Sequence, residues 1–146
     1  MKNEYLRHTL ATINYRFQKS VKYRNTDFGG FSLGKQSRSP KEIINHMYFV
    51  LHSTTVYIKE ERIQTEEPDK YDLELEIDRF SLEVKSLDKV LAKNELDINY
   101  SKRLLQGPLS DILTHIGQIS MLSRLNNKPI EWEDFSSSQI RTEENK

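Results

Sequence analysis

Apolar side chains recur at steps of three and four through most of this 146-residue chain. That period belongs to the α-helix, because residues three or four apart lie above one another on a single helical face. Leu6, Leu10, Ile13, Phe17 and Val21 mark a first helix of about five turns. It should end before Asp27-Phe28-Gly29-Gly30, where two glycines in succession release the backbone from helical geometry. Residues 28–38 then read as an ordered loop carrying Phe28 and Phe31. A second helix starts at Ser39-Pro40: the serine can cap, proline fits the first helical position, and Glu42 completes the spacing of a capping box. Its stripe is Ile43, Ile44, Met47, Val50, Leu51, Thr54 and Ile58, and it should fray near Gln64. The third helix follows Ile77, Phe80, Val84, Leu87 and Leu91. Leu96 to Tyr100 alternates polar and apolar residues, but with no second strand to pair with it reads as a loop lying against the helices. A fourth helix is expected from Gly107-Pro108 to about Asn126-Asn127, with Leu109, Ile112, Leu113, Ile116, Ile119 and Leu122 on its buried face.

Four amphipathic helices with one long connection after the second predict an all-α four-helix bundle. Pro129, Ile130, Trp132 and Phe135 are too many large apolar groups for a free tail, so the C-terminal tail should pack on the bundle. One domain over 1–140 and a disordered tail over 141–146 is the expected organisation. The chain has 22 basic and 22 acidic side chains and no cysteine. Zero net charge argues against nucleic acid as a partner, and the missing thiol excludes disulfides, thiolate metal sites and a cysteine nucleophile. No apolar run reaches the roughly 18 residues needed to span a bilayer, and the opening residues lack the apolar stretch of a signal peptide. A cytoplasmic protein with no membrane partner is therefore expected. Between Lys59 and Asp78 nine acids face three bases, which reads as a solvated connection between helices, with an acidic recognition segment as the alternative.

The histidines carry what chemistry the sequence offers. His8 falls opposite the stripe of helix 1, and His52 opposite that of helix 2, so both should face solvent. His46 sits on the shoulder of the helix 2 stripe. Asp111 and His115, four apart, lie one above the other on a shoulder of the fourth helix. If the bundle turns these shoulders together, two imidazoles and a carboxylate could share a divalent ion such as Zn, Ni or Fe and leave coordination positions open. Spacing alone equally allows Asp111 to bond His115, or to sit in the first turn as a favourable charge on the helix dipole. Gln118 could support the site or be a surface amide. Gly117 suggests close approach of another helix, and Tyr15, Tyr48 and Tyr57 read as packing residues with polar tips.

The segment Ser39-Pro40-Lys41-Glu42-Ile43-Ile44-Asn45-His46-Met47 resembles the start of the second helix in the DinB/YfiT-like family. Leu104 to Gln118, with Asp111, His115 and then Gly117-Gln118, resembles that family's last bundle helix. Met121 to Leu125, Lys128-Pro129-Ile130 and Asp134-Phe135 are similar to one of its branches. The resemblance runs from helix 1 to about Ile140. It implies an up-down-down-up bundle with three ligands for a divalent metal at one end of a cleft: His46, Asp111 and His115. The common family form has histidine where this chain has Asp111, a departure that either hardens the ligand set or weakens the site. The resemblance further implies a metal-dependent transferase or hydrolase acting on a small-molecule substrate, with a low-molecular-weight thiol such as bacillithiol or mycothiol arriving from outside. A non-catalytic bundle that binds a small ligand or forms a homodimer is the alternative.

Overall fold

The four apolar stripes lie on helices in the computed structural model, which describes residues 1–143. Helix α1 spans Glu4–Ser20, α2 Pro40–Glu60 and α3 Leu73–Lys93. Helices α4 (Ile98–Leu104) and α5 (Ser110–Leu125) are joined through a π-helical turn, Leu105–Leu109, into a fourth rod. Among the described residues there is no strand, and no helix is long and apolar enough to cross a membrane.

The fourth rod corrects the expected boundary. Leu96 to Tyr100 is not a loop throughout, because the Asp97 carboxylate accepts the Tyr100 N–H at 2.9 Å and starts a helix well before Gly107-Pro108. Proline in a helix interior lacks the N–H and clashes with the turn before it. The wider π turn accommodates Pro108, and the Ser110 hydroxyl donates to the Leu105 carbonyl at 2.5 Å. At the other expected soft end, α2 stops at Glu60 rather than near Gln64, with Glu61 turned to a left-handed φ of 54°.

Leu10, Ile13, Phe17, Ile44, Met47, Leu51, Phe80, Leu87, Ile112 and Ile119 form one continuous buried cluster, so all four rods share a single core. Helix α1 packs on α3 and α5, and α2 packs on the same two. Side-chain pairs give the directions. Asn45 bonds Glu76, Arg79 lies over Tyr48, and His52 meets Glu83; partners advance together along both helices, so α2 and α3 run parallel. Asn3 reaches the carbonyls of Leu91 and Asn94, Arg7 pairs with Asp88 and Arg24 with Glu74, so α1 and α3 run antiparallel. A parallel pair needs a connection that travels back the full helix length, about 30 Å for α2. Residues 61–72 can span roughly 40 Å when extended. The acidic connection is therefore a crossover, and it is not wholly solvated: Asn45 and Arg79 donate to the Asp69 carbonyl at 3.0 Å each.

The start of α3 holds a buried carboxylate. Glu76 is 1% exposed, and its oxygens accept from Arg79 at 2.6 Å, Asn45 at 2.8 Å and the Tyr71 N–H at 2.9 Å. A carboxylate at this depth is tolerable because its charge and lone pairs are met. The loop after α1 is ordered as expected, with Phe28 buried. Gly29 is required there by space: a Cβ would stand 2.9 Å from Leu73 Cβ. Gly117 has the opposite setting, since a Cβ would meet nothing within 4 Å, which overturns its reading as a helix–helix contact.

The tail docks on α1 through different residues than apolarity predicts. Trp132 is 88% exposed. Phe135 instead lies under the Arg16 guanidinium, 4.0 Å from its ring centre, with Tyr15 edge-on. Glu133 accepts from Lys19 at 2.6 Å, and from the hydroxyls of Tyr15 and Ser138. Of the expected disordered tail, Thr142 is buried, and residues 144–146 lie outside the described residues.

Two outcomes are expected. Gly29→Ala should destabilise by about 1–3 kcal/mol through overpacking, whereas Gly117→Ala should be stabilising by about 0.5–1 kcal/mol, both read from urea unfolding. Lys19, Ser138 and Tyr15 hold the Glu133 carboxyl down to about 2, against an ordinary 4.5. Its contribution to stability is whole above about 4.5 and drains away as pH falls toward about 2. Carbon-detected NMR should show Glu133 titrating below the exposed glutamates, and Lys19→Met should raise its midpoint.

Candidate functional site

The capping box at the start of α2 anchors the first turn of the helix that carries His46. The Ser39 N–H and hydroxyl donate to Glu42 at 3.1 and 2.8 Å, with Pro40 in the first turn. These hydrogen bonds also hold the Glu42 carboxyl below its ordinary range. Helix α5 passes alongside, and the two rods bring His46 and His115 together. Their rings meet edge to face, centres 5.0 Å apart at 88°, and both side chains are partly buried.

Gln118 decides how His115 is presented. Its side-chain oxygen lies 2.9 Å from His115 Nδ1. An amide oxygen only accepts, so Nδ1 is the donor in this contact, and in the neutral ring that leaves the lone pair on Nε2. His46 is held in the neutral form: burial, then the charge of Arg38, then His115 lower its pKa, while Asp111 opposes them. A cavity of about 570 Å³ borders His46, Asn45, Phe49 and Tyr71. A second of about 440 Å³ borders His115, Gln118 and Met121. Arg38 lines both.

Asp111 lies one turn before His115 but is exposed, and among the described residues it makes no hydrogen bond to either imidazole. Of the three expected ligands the two histidines are in ring contact, while Asp111 acts on His46 only through its charge. Among the described residues, no group of three or more His, Asp or Glu is arranged to hold a metal ion. A pair of imidazoles suits a borderline cation such as zinc, and among the described residues no third donor completes a set with them.

Elsewhere His8 is exposed as expected. His52 is not simply solvent-facing: its Nδ1 lies 3.1 Å from a Glu83 oxygen, and its ring stacks on Tyr48 at 5.3 Å and 10°. Tyr48 and Tyr15 are packing residues with engaged faces or hydroxyls, whereas Tyr57 is exposed beside Tyr100. The sequence reading passed over Arg38, Glu76 and Glu83. A signal existed for the two carboxylates. Glu76, Phe80, Glu83 and Leu87 repeat at the same four-three steps as the apolar stripe, which puts both acids on the buried face of α3.

No protein-family model matches the chain, nor does any curated protein or solved structure.

A lowered histidine pKa favours the folded state above the ordinary value of 6.5, and that contribution is lost as pH falls through the lowered pKa. Proton NMR should show His46 titrating below 6.5. Arg38→Gln should move the midpoint up, and an unchanged midpoint would remove Arg38 as a cause.

Proposed function

We propose that the chain is a DinB-like, metal-dependent enzyme of the transferase or hydrolase type. His46 and His115 would hold a divalent ion such as Zn, Ni or Fe, and Asp111 would turn inward as the third ligand. The juxtaposition of the two imidazoles across α2 and α5 carries this reading. The parallel α2/α3 pairing and the antiparallel α1/α3 pairing support the up-down-down-up topology that goes with it. A bound divalent ion would supply a lowered pKa for a coordinated water or for a thiol brought by the substrate. The chain's own residues do the rest. Gln118 keeps His115 in one tautomer, burial and Arg38 keep His46 neutral, and the flanking cavities give a small molecule access.

The test is ion analysis of protein purified without chelator, beside a His46→Ala/His115→Ala variant. Near-stoichiometric metal in the wild type, lost in the double variant, is expected. Gln118→Ala should weaken binding by about 10-fold, and Asp111→Ala should weaken it too. Equal and negligible metal in wild type and double variant ends the proposal.

The exposed position of Asp111 favours a second reading, a non-catalytic bundle that binds a small ligand or pairs as a homodimer. Metal-free protein whose thermal midpoint rises with protein concentration would support the dimer.

A further inference from the structure

Between the loop that follows Gly30 and helix α5 lies the cavity of about 440 Å³ that borders His115, and its wall is chemically lopsided. Leu33, Ile43, Met121 and Leu122 supply hydrocarbon, and Arg38 supplies the one permanent charge. Among the described residues no carboxylate lines it. Leu33 and Met121 are 54% and 57% exposed. Scattered apolar side chains are ordinary on a surface, but here two of them converge on a concave wall beside a guanidinium, giving it one apolar end and one polar end.

Arg38 makes no hydrogen bond or ion pair among the described residues. Glu42, the nearest acid along the chain, is already engaged by the Ser39 N–H and hydroxyl. The loop that carries Arg38 is held in a costly shape. Gly34, Lys35 and Gln36 follow one another at φ of 72°, 54° and 65°. Left-handed backbone is routine for glycine alone, so Lys35 and Gln36 are strained. The turn is closed by the Ser37 N–H and hydroxyl, which donate to the Gly34 carbonyl at 3.0 and 2.7 Å. Strain of this kind persists where the surroundings over-determine it, and it collects at ligand clamps. Gln118 stands in the same wall; its oxygen is taken by His115, and its amide N–H groups make no hydrogen bond among the described residues.

A planar anion with two oxygens fits the fork of a guanidinium. One negative charge answers one positive charge, and a short aliphatic chain answers Leu33, Met121 and Leu122. An amine would meet like charge at Arg38. We propose that this cavity binds a small aliphatic monocarboxylate, its carboxylate on Arg38 and the Gln118 amide and its chain against Leu33, Met121 and Leu122. That such an acid is the substrate of the His46/His115 site rests on the metal-dependent reading; that it binds does not.

The experiment titrates the isotope-labelled full chain with sodium pentanoate, with sodium acetate, n-pentanol and n-pentylammonium chloride as controls at matched ionic strength. Saturable shifts at Leu33, Arg38, Gln118 and Met121 are expected with pentanoate, and weaker responses with acetate and n-pentanol, each of which carries half of the match. A partly exposed bidentate contact contributes a factor of about five to ten, so Arg38→Gln should raise Kd about five- to tenfold. Met121→Gln should raise it severalfold. His46 does not line this cavity, so His46→Ala should leave Kd unchanged. Circular dichroism confirms that each variant is folded. Absence of saturable shifts with pentanoate, an equal response to n-pentanol or n-pentylammonium, or wild-type Kd in Arg38→Gln overturns the proposal. So does a Kd raised by His46→Ala as much as by Arg38→Gln, which would assign the carboxylate to an ion at the histidines. Pentanoate binding by protein that holds no metal supports the proposal and ends only the metal-dependent reading.

Discussion

The parallel pairing of α2 with α3 is the constraint on which the rest of the molecule depends, and Glu76 is its anchor. This carboxylate ties α2 through Asn45, its own helix through Arg79, and the end of the crossover through the Tyr71 amide. Removing a carboxylate at that depth would strand three donors in a region with little water, which is why one buried charge can determine where three segments meet. The Asp69 carbonyl, held by the same Asn45 and Arg79, pins the crossover one step earlier.

Parallel neighbours also explain why α2 serves two regions at once. His46 and His52 are six residues apart, so they point in different directions around the helix. One meets α5 at His115, the other meets α3 at Glu83. Two cavities follow from this, and they share Phe49, Glu67 and Pro68 along the crossover. A long return segment is needed to make the helices parallel, and the same segment becomes the outer wall of both spaces.

Local chemistry made much of this legible. The capping box at Ser39 and Glu42, the proline in the first turn of α2 and the apolar stripes of α1, α2 and α3 act over a few residues, so each can be read in isolation. Where the reading failed, a partner distant in the chain had intervened. Pro108 signals a helix start when considered alone, yet Asp97 begins the helix earlier and the π turn absorbs the proline. Trp132 is the most apolar-looking part of the tail, but Lys19 and Arg16 on α1 select Glu133 and Phe135 for docking. Of the expected ligands, His46 and His115 could be placed on the shoulders of their helices from sequence, but their ring contact depends on how α2 and α5 are turned. The direction of Asp111 depends on space beyond its own helix.

Periodicity, caps and charge tally are one-dimensional properties, and they settled the helical class and the start of α2. Helix direction, by contrast, is invisible to a stripe, which looks the same whether its neighbour runs up or down. Only the packed chain decided that α2 and α3 run together and which partners Glu76 and Glu83 meet. It also decided that an acidic connection becomes a wall, because each of these needs contacts between residues some thirty positions apart.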